Sequence, residues 1–322
     1  TILSLLIANS SIGEGYLGFW QTQFVGHSIG HWVNDGLMTI FFLLIGLELE
    51  REVYIGELSK IKDALLPIFA AMGGFLVPAL FYMFFNYGTS TQSGAAIPMA
   101  TDIAFALGIL SLLANLGIAM GIFAVLLAFN RLKVRNLIPY LIGGVAMWYF
   151  MLNSGVHATI TGVLLAFAIP FGNGDEKSTS YILQHFLHKP VAFIILPIFA
   201  LANTAIILSG DIGETLTQNY SLGISLGLIV GKPLGIFVLS YLAVSFGLCK
   251  LPFDLNWKVI LGVGFLGGIG FTMSIFITLL AFDNEIIINN AKFVILISSL
   301  IAGLIGFISL RLILKQPNTE NL

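Results

Sequence analysis

Apolar runs of about 20 residues, broken by short polar segments, recur along the chain, with windows at 31–50, 64–86, 94–114, 117–130, 137–152, 156–170, 190–209, 221–246, 258–281 and 290–313. At a rise of about 1.5 Å per residue, the longer runs match a hydrocarbon core of roughly 30 Å. None shows the strict alternation of a membrane barrel strand, so the pattern predicts membrane-spanning helices. Residues 1–9, TILSLLIAN, read as the end of a further span. Composition agrees: 57% hydrophobic and 9% charged residues, with mean hydropathy +0.98, exclude a soluble globule. The expectation is an all-α polytopic membrane protein in which residues 1–322 form a single membrane-embedded domain, with the lipid bilayer as its surroundings.

Charge then orients the spans. Arg51, Lys60 and Lys62 follow the first full window, whereas NYGTSTQS at 86–93 has no lysine or arginine, and positive charge marks the inner side. Arg131, Lys133 and Arg135, then Lys177 and Lys189, then Lys250 and Lys258, then Arg311 and Lys315 mark four more inner segments. Segments 153–155 and 210–220 lack positive charge and read as outer. Lys292, beside Asp283 and Glu285 at the start of the last window, is expected to reach outward along its aliphatic stem. With a net charge of -2 and no long basic block, the chain excludes nucleic acid as a partner. The single Cys249 cannot form an intrachain disulfide and reads as inert.

One stretch breaks this alternation. Segment 86–93 reads as outer and 131–135 as inner, which demands an odd number of crossings, yet two windows lie between them. As one helix, residues 94–130 would be about 55 Å long, too long for one span and too short for three. Either this is a long broken helix, or one crossing is absent; the second alternative predicts a deletion near Ala114 to Gly117.

Asp102 lies in this stretch, with no other charge between Asp63 and Arg131. An aspartate at the centre of a membrane helix costs roughly 2.5 to 3.5 kcal/mol on insertion scales, which makes it a marker of function. Lys232, flanked by LGLIV and GIFVLS, is a second intramembrane charge. Enzymatic chemistry finds little support: there is no HExxH and no paired-cysteine motif, and Ser154 with His157 has no further group to complete a hydrolytic site.

Six segments in order, WVNDGLMTIFFLLIGLELERE, AIPMATDIAFALG, SGVHATITGVLLAFAIP, ILPIFALANT, VGKPLGI and GIGFTMSIFI, resemble the NhaA-type sodium/proton antiporter family over essentially the whole chain. The resemblance implies an inverted-repeat bundle of twelve helices with two crossed broken helices. It also implies a homodimer in the bacterial inner membrane, exchanging Na+ or Li+ for H+ by alternating access for pH and sodium homeostasis, with no cofactor. By the same resemblance Thr101 and Asp102 belong to the first broken helix, Gly268, Gly270 and Phe271 to the second, and Lys232 is the family's intramembrane lysine. Asp102 and Lys232 would neutralise the opposed half-helix ends, and Asp102 is a candidate for attracting Na+. Glu48, Glu52, His157, His185 and His188 are candidates for the pH response; Gln184 stands where some members have a glutamate, and Glu50 where the family often has a lysine.

The family's adjacent aspartates, in a stretch like ALAIIDDLGAI, bind the cation and exchange protons, and no two aspartates are adjacent anywhere here. The resemblance therefore implies a chain lacking the helix with the paired aspartates, besides the N-terminal part of the first helix. The missing crossing inferred from charge falls at the same place. This leaves three expectations: an antiporter with impaired exchange, a non-transporting member that only associates with membrane or subunits, or a passive cation channel, against which the lack of a repeated polar ring argues.

Overall fold

The computed structural model of the chain describes residues 1–59, 61–99, 114–154, 157–207, 212–252 and 255–314. In chain order the helices are α1 (Ile2–Ala8), α2 (Gly13–Gln21), α3 (Ile29–Tyr54), α4 (Ile61–Asn86), α5 (Ala114–Arg131), α6 (Ile138–Leu152), α7 (Ile160–Ala168), α8 (Thr179–Asn203), α9 (Ile212–Thr217), α10 (Asn219–Ser245), α11 (Trp257–Gly267), α12 (Phe271–Ala281) and α13 (Glu285–Leu314). Between α2 and α3, β1 (Gln23–Phe24) and β2 (His27–Ser28) form a two-residue antiparallel hairpin. Its tip puts Val25 and Gly26 at φ 49° and 83°, as a tight hairpin turn requires.

Among the described residues, α3, α4, α8, α10 and α13 are long and apolar enough to cross a membrane, and α11 and α12, bent against each other, are long and apolar enough only when taken together. Two windows differ from their helices for identifiable reasons. Helix α8 starts at Thr179 rather than 190, because TSYILQHFLHK buries Ser180, Leu183 and Leu187 on one face while its histidines face outward. Helix α7 is only nine residues long: Ile169, the residue before Pro170, turns extended, as proline demands of its predecessor.

Among the described residues, three helices contain π turns, at Trp32–Leu37 in α3, Val191–Ile195 in α8 and Gly227–Gly231 in α10. The second follows Pro190 and the third closely precedes Pro233. A proline has no amide to give the carbonyl one turn back, and a widened turn redistributes the bonding.

The helices group into two compact units: Thr1–Ser59 with Ala104–Ala205, and Lys60–Ile103 with Ile206–Leu322. In the first, Leu43, Leu44 and Leu47 of α3, Met147 and Met151 of α6, Leu165 and Ala166 of α7, and Leu183, Leu187 and Ile195 of α8 form one buried cluster. Small residues set its tightest crossing, for Gly46 of α3 faces Ala166 and Gly162 of α7 presses on the Thr39 carbonyl. In the second unit α4 and α10 meet glycine to glycine: a Cβ on Gly73 would overlap the Gly235 carbonyl oxygen, and a Cβ on Gly235 the Gly73 oxygen. Without a hydrophobic drive between helices in lipid, such close backbone approach is what supplies the packing energy.

Candidate functional site

Lys232 stands near the middle of α10, directly after the Gly227–Gly231 π turn, and is only 2% exposed. It is therefore an interior lysine of the span, not a helix-end residue reaching for the surface. Its Cγ lies 3.9 Å from where a Cβ on Gly74 would stand, so the glycines of α4 make room for the stem. Thr101 and Asp102, expected beside it, lie outside the described residues.

In the same unit, the break of the second expected broken helix is present. Helices α11 and α12 bend by 48° across Gly268, Ile269 and Gly270. Neither glycine needs its freedom of φ, since Gly268 lies at φ -69° and Gly270 at φ -87°. Space is what they provide: a Cβ on Gly268 would collide with the Leu228 carbonyl oxygen and one on Gly270 with Ser274 Oγ. Interruption and close packing are thus one feature. The backbone freed by the break is re-bonded, as a lipid environment requires, with the Gly270 amide donating to Ser299 Oγ of α13 at 3.2 Å. Ser274 Oγ donates to the Ile97 carbonyl at 2.8 Å, and Thr278 Oγ1 to the Ser274 carbonyl. Phe271 opens α12 and is half-buried.

The pH-response candidates at the inner end of α3 are mostly exposed. His188 Nδ1 lies 3.8 Å from Glu48 Oε1, with the two side chains 69% and 38% exposed, so the pair is long and solvated. Glu52 is exposed, and His185 is exposed while stacking on Tyr181, over which the Arg51 guanidinium sits at 5.0 Å from the ring centroid. The buried acid of this segment is Glu50, 3% exposed with Oε2 lacking a hydrogen-bond partner. Its burial was legible, because it continues the inward stripe of Leu43, Gly46 and Leu47 at helical spacing. His157, at the outer mouth of α7, is half-buried.

One other expectation shifts, and one does not. Lys292 does not reach outward, being 9% exposed within α13. Cys249, between α10 and α11, is buried, which pushes its thiol above the usual range and leaves it a poor nucleophile.

The sequence profile of the family described as Na+/H+ antiporter 1 matches residues 1–116 and 113–310, nearly the whole chain. The chain belongs to that family. Relatives of this Na+/H+ antiporter family include a Na(+)/H(+) antiporter NhaA of Flavobacterium psychrophilum, 68% identical over 358 aligned positions that cover 100% of this chain and 93% of the relative. One of Cytophaga hutchinsonii is 58% identical, covering 100% and 93%, and one of Dechloromonas aromatica 54%, covering 99% and 92%. As a family member the chain is a transporter rather than an enzyme, a multi-pass protein of the bacterial inner membrane. The two matched segments meet at 113–116, where the charge pattern predicts a deletion. The alignment to the F. psychrophilum relative is about 36 positions longer than the 322 residues it covers, more than the ~20 residues of one helical crossing.

Proposed function

We propose that this chain is a secondary active antiporter that exchanges Na+, or Li+, for H+ by alternating access, serving pH and sodium homeostasis as a single transporter domain over residues 1–322. The near full-length match to a sodium/proton antiporter family carries this reading. Asp102 and Lys232 act as the charges that compensate broken-helix ends, with Thr101, Gly268, Gly270 and Phe271 shaping the two interruptions and Asp102 drawing Na+ toward them. Glu48, Glu52, His157, His185 and His188 tune the pH response. The chain works as a homodimer in the lipid bilayer, without nucleic acid.

Exchange by this chain is weak. Sodium wants hard oxygen ligands and proton exchange wants a buried carboxylate, and the pair of aspartates that would supply both is absent from the sequence. We place the loss at 113–116, where the two matched segments of the family meet. That junction also supports a second reading, a degenerate member that inserts and associates with intact subunits without transporting. Sodium-dependent proton release from proteoliposomes separates the possibilities. Weak release supports impaired antiport, robust pH-dependent release removes the impairment, and none at all supports the second reading.

A further inference from the structure

The outer end of the second unit holds a cavity that the antiport reading does not use. Residues 89–91 after α4, 214–220 across the α9–α10 corner and 286–290 of α13 enclose about 630 Å³. Hydrogen bonds fix its walls. Tyr82 Oη of α4 donates to the Thr91 carbonyl at 2.7 Å, and Thr91 Oγ1 donates to Asn86 Oδ1 at 2.7 Å. Asn86 Nδ2 donates to the Asn219 carbonyl at 3.0 Å, and Asn290 Nδ2 of α13 to Tyr220 Oη at 3.2 Å. The ends of α4, α10 and α13 are thus tied together around the space rather than closing it.

The lining selects a chemistry. Thr89, Thr215 and Thr217 bring hydroxyls, Gln218 and Asn290 carboxamides, and Glu214 a carboxylate. Among the described residues no lysine, arginine or histidine lines the cavity, and Lys292, two residues past Asn290, lies about 200° around α13. With one full negative charge and no positive one, the space favours a cation or a neutral molecule over an anion. Its volume falls inside the roughly 300 to 1,000 Å³ of small-molecule sites, so it suits an organic ligand, not a bare ion. Hydroxyls and carboxamides both donate and accept, and Tyr220, 7% exposed and accepting from Asn290, keeps its own phenol proton to give. Helix α10 has no side-chain cap, so its first amides add donors that an ammonium cannot use and a ligand hydroxyl can. Ile286 and Ile287 make one short apolar wall, enough for the C–H face of a ring and too little for an acyl chain.

We infer that this outer cavity binds a small, water-soluble, hydroxylated organic ammonium of amino-sugar size, with Glu214 taking the ammonium and Gln218, Tyr220 and Asn290 the hydroxyls. The bound ligand bridges the outer ends of α4, α10 and α13 and stabilises the second unit by mass action. The site stands independently of ion exchange.

The test is isothermal titration of the purified full chain in detergent at about pH 6, where a carboxylate is ionised and an amine protonated. Three probes of one ring size differ in charge: D-glucosamine, neutral N-acetyl-D-glucosamine and anionic D-glucuronate. Melting temperature without ligand is the control for folding. Glucosamine should bind saturably, raise the melting temperature, and bind about tenfold or more tighter than glucuronate. Glu214→Gln, at an exposed position, should bring glucosamine to the level of the N-acetyl sugar. Asn290→Leu should weaken both of these sugars by about threefold or more. No saturable glucosamine binding, glucuronate binding as tightly as glucosamine, or a preference for glucosamine that survives Glu214→Gln overturns the site. A folded Asn290→Leu chain that binds both sugars unchanged overturns it too. Proton release is a separate readout, and its absence with glucosamine binding intact counts against antiport and leaves this site standing.

Discussion

Replacing Gly235 with alanine should destabilise the second unit by about 2 kcal/mol, an amount that follows from two opposed effects. Alanine is favoured over glycine in a helix interior by about 1 kcal/mol. Overpacking a tight interface costs roughly 1 to 3 kcal/mol, and the upper end applies here because the atom struck is a backbone oxygen that cannot rotate aside. The added methyl would overlap the Gly73 carbonyl and stand 2.9 Å from Val77 Cβ, so α4 and α10 must separate. Gly121 of α5, where a Cβ meets nothing within 4 Å, isolates the propensity effect, and Gly121→Ala should stabilise by up to about 1 kcal/mol. Gly73→Ala forces the same separation, so the double variant should cost at least 0.5 kcal/mol less than the two singles added together, a coupling in the usual range of about 0.5 to 3 kcal/mol. Thermal and denaturant unfolding in detergent reads all four variants. Gly235→Ala as stable as Gly121→Ala, or strictly additive with Gly73→Ala, would refute the glycine-to-glycine crossing.

Glu50→Met should raise stability by about 1 kcal/mol or more, since it removes a buried carboxyl with an unbonded oxygen at similar volume; a fall in melting temperature would show that the acid has a stabilising partner. Ser299→Ala deprives the Gly270 amide of its acceptor at the helix break and should cost about 1 to 3 kcal/mol, measured by the same unfolding assay. Glu48→Gln should change stability by less than about 1 kcal/mol, because its pairing with His188 is long and exposed, so any effect will be seen in the pH profile of transport instead.

The long spans were legible because their apolar runs are continuous: the window 64–86 lies within Ile61–Asn86, and 221–246 corresponds to Asn219–Ser245. Helix α8 was read short because its first turns carry a histidine-rich outward face that dilutes the apolar signal although Leu183 and Leu187 are buried. The break at Gly268 to Gly270 was expected from resemblance, but its physical basis was not visible. The glycines yield space to Leu228 and Ser274, and their dihedrals would suit any residue. Lys292 misled because neighbouring Asp283 and Glu285 suggested a surface, whereas the helix begins at Glu285 and takes the lysine two turns inward. Residue pairs distant in sequence, such as Gly73 with Gly235, or Asp35 with Trp148, leave no periodic trace at all. Thr101 and Asp102, expected in the first broken helix, lie outside the described residues.

The most direct test inserts, at 113–116, the stretch of the F. psychrophilum relative that has no counterpart here, and compares sodium-dependent proton release in proteoliposomes with that of the parent chain. The insertion should raise the exchange rate about tenfold or more, equivalent to about 1.4 kcal/mol of barrier. A parent chain that already exchanges as fast as the chimera would contradict it.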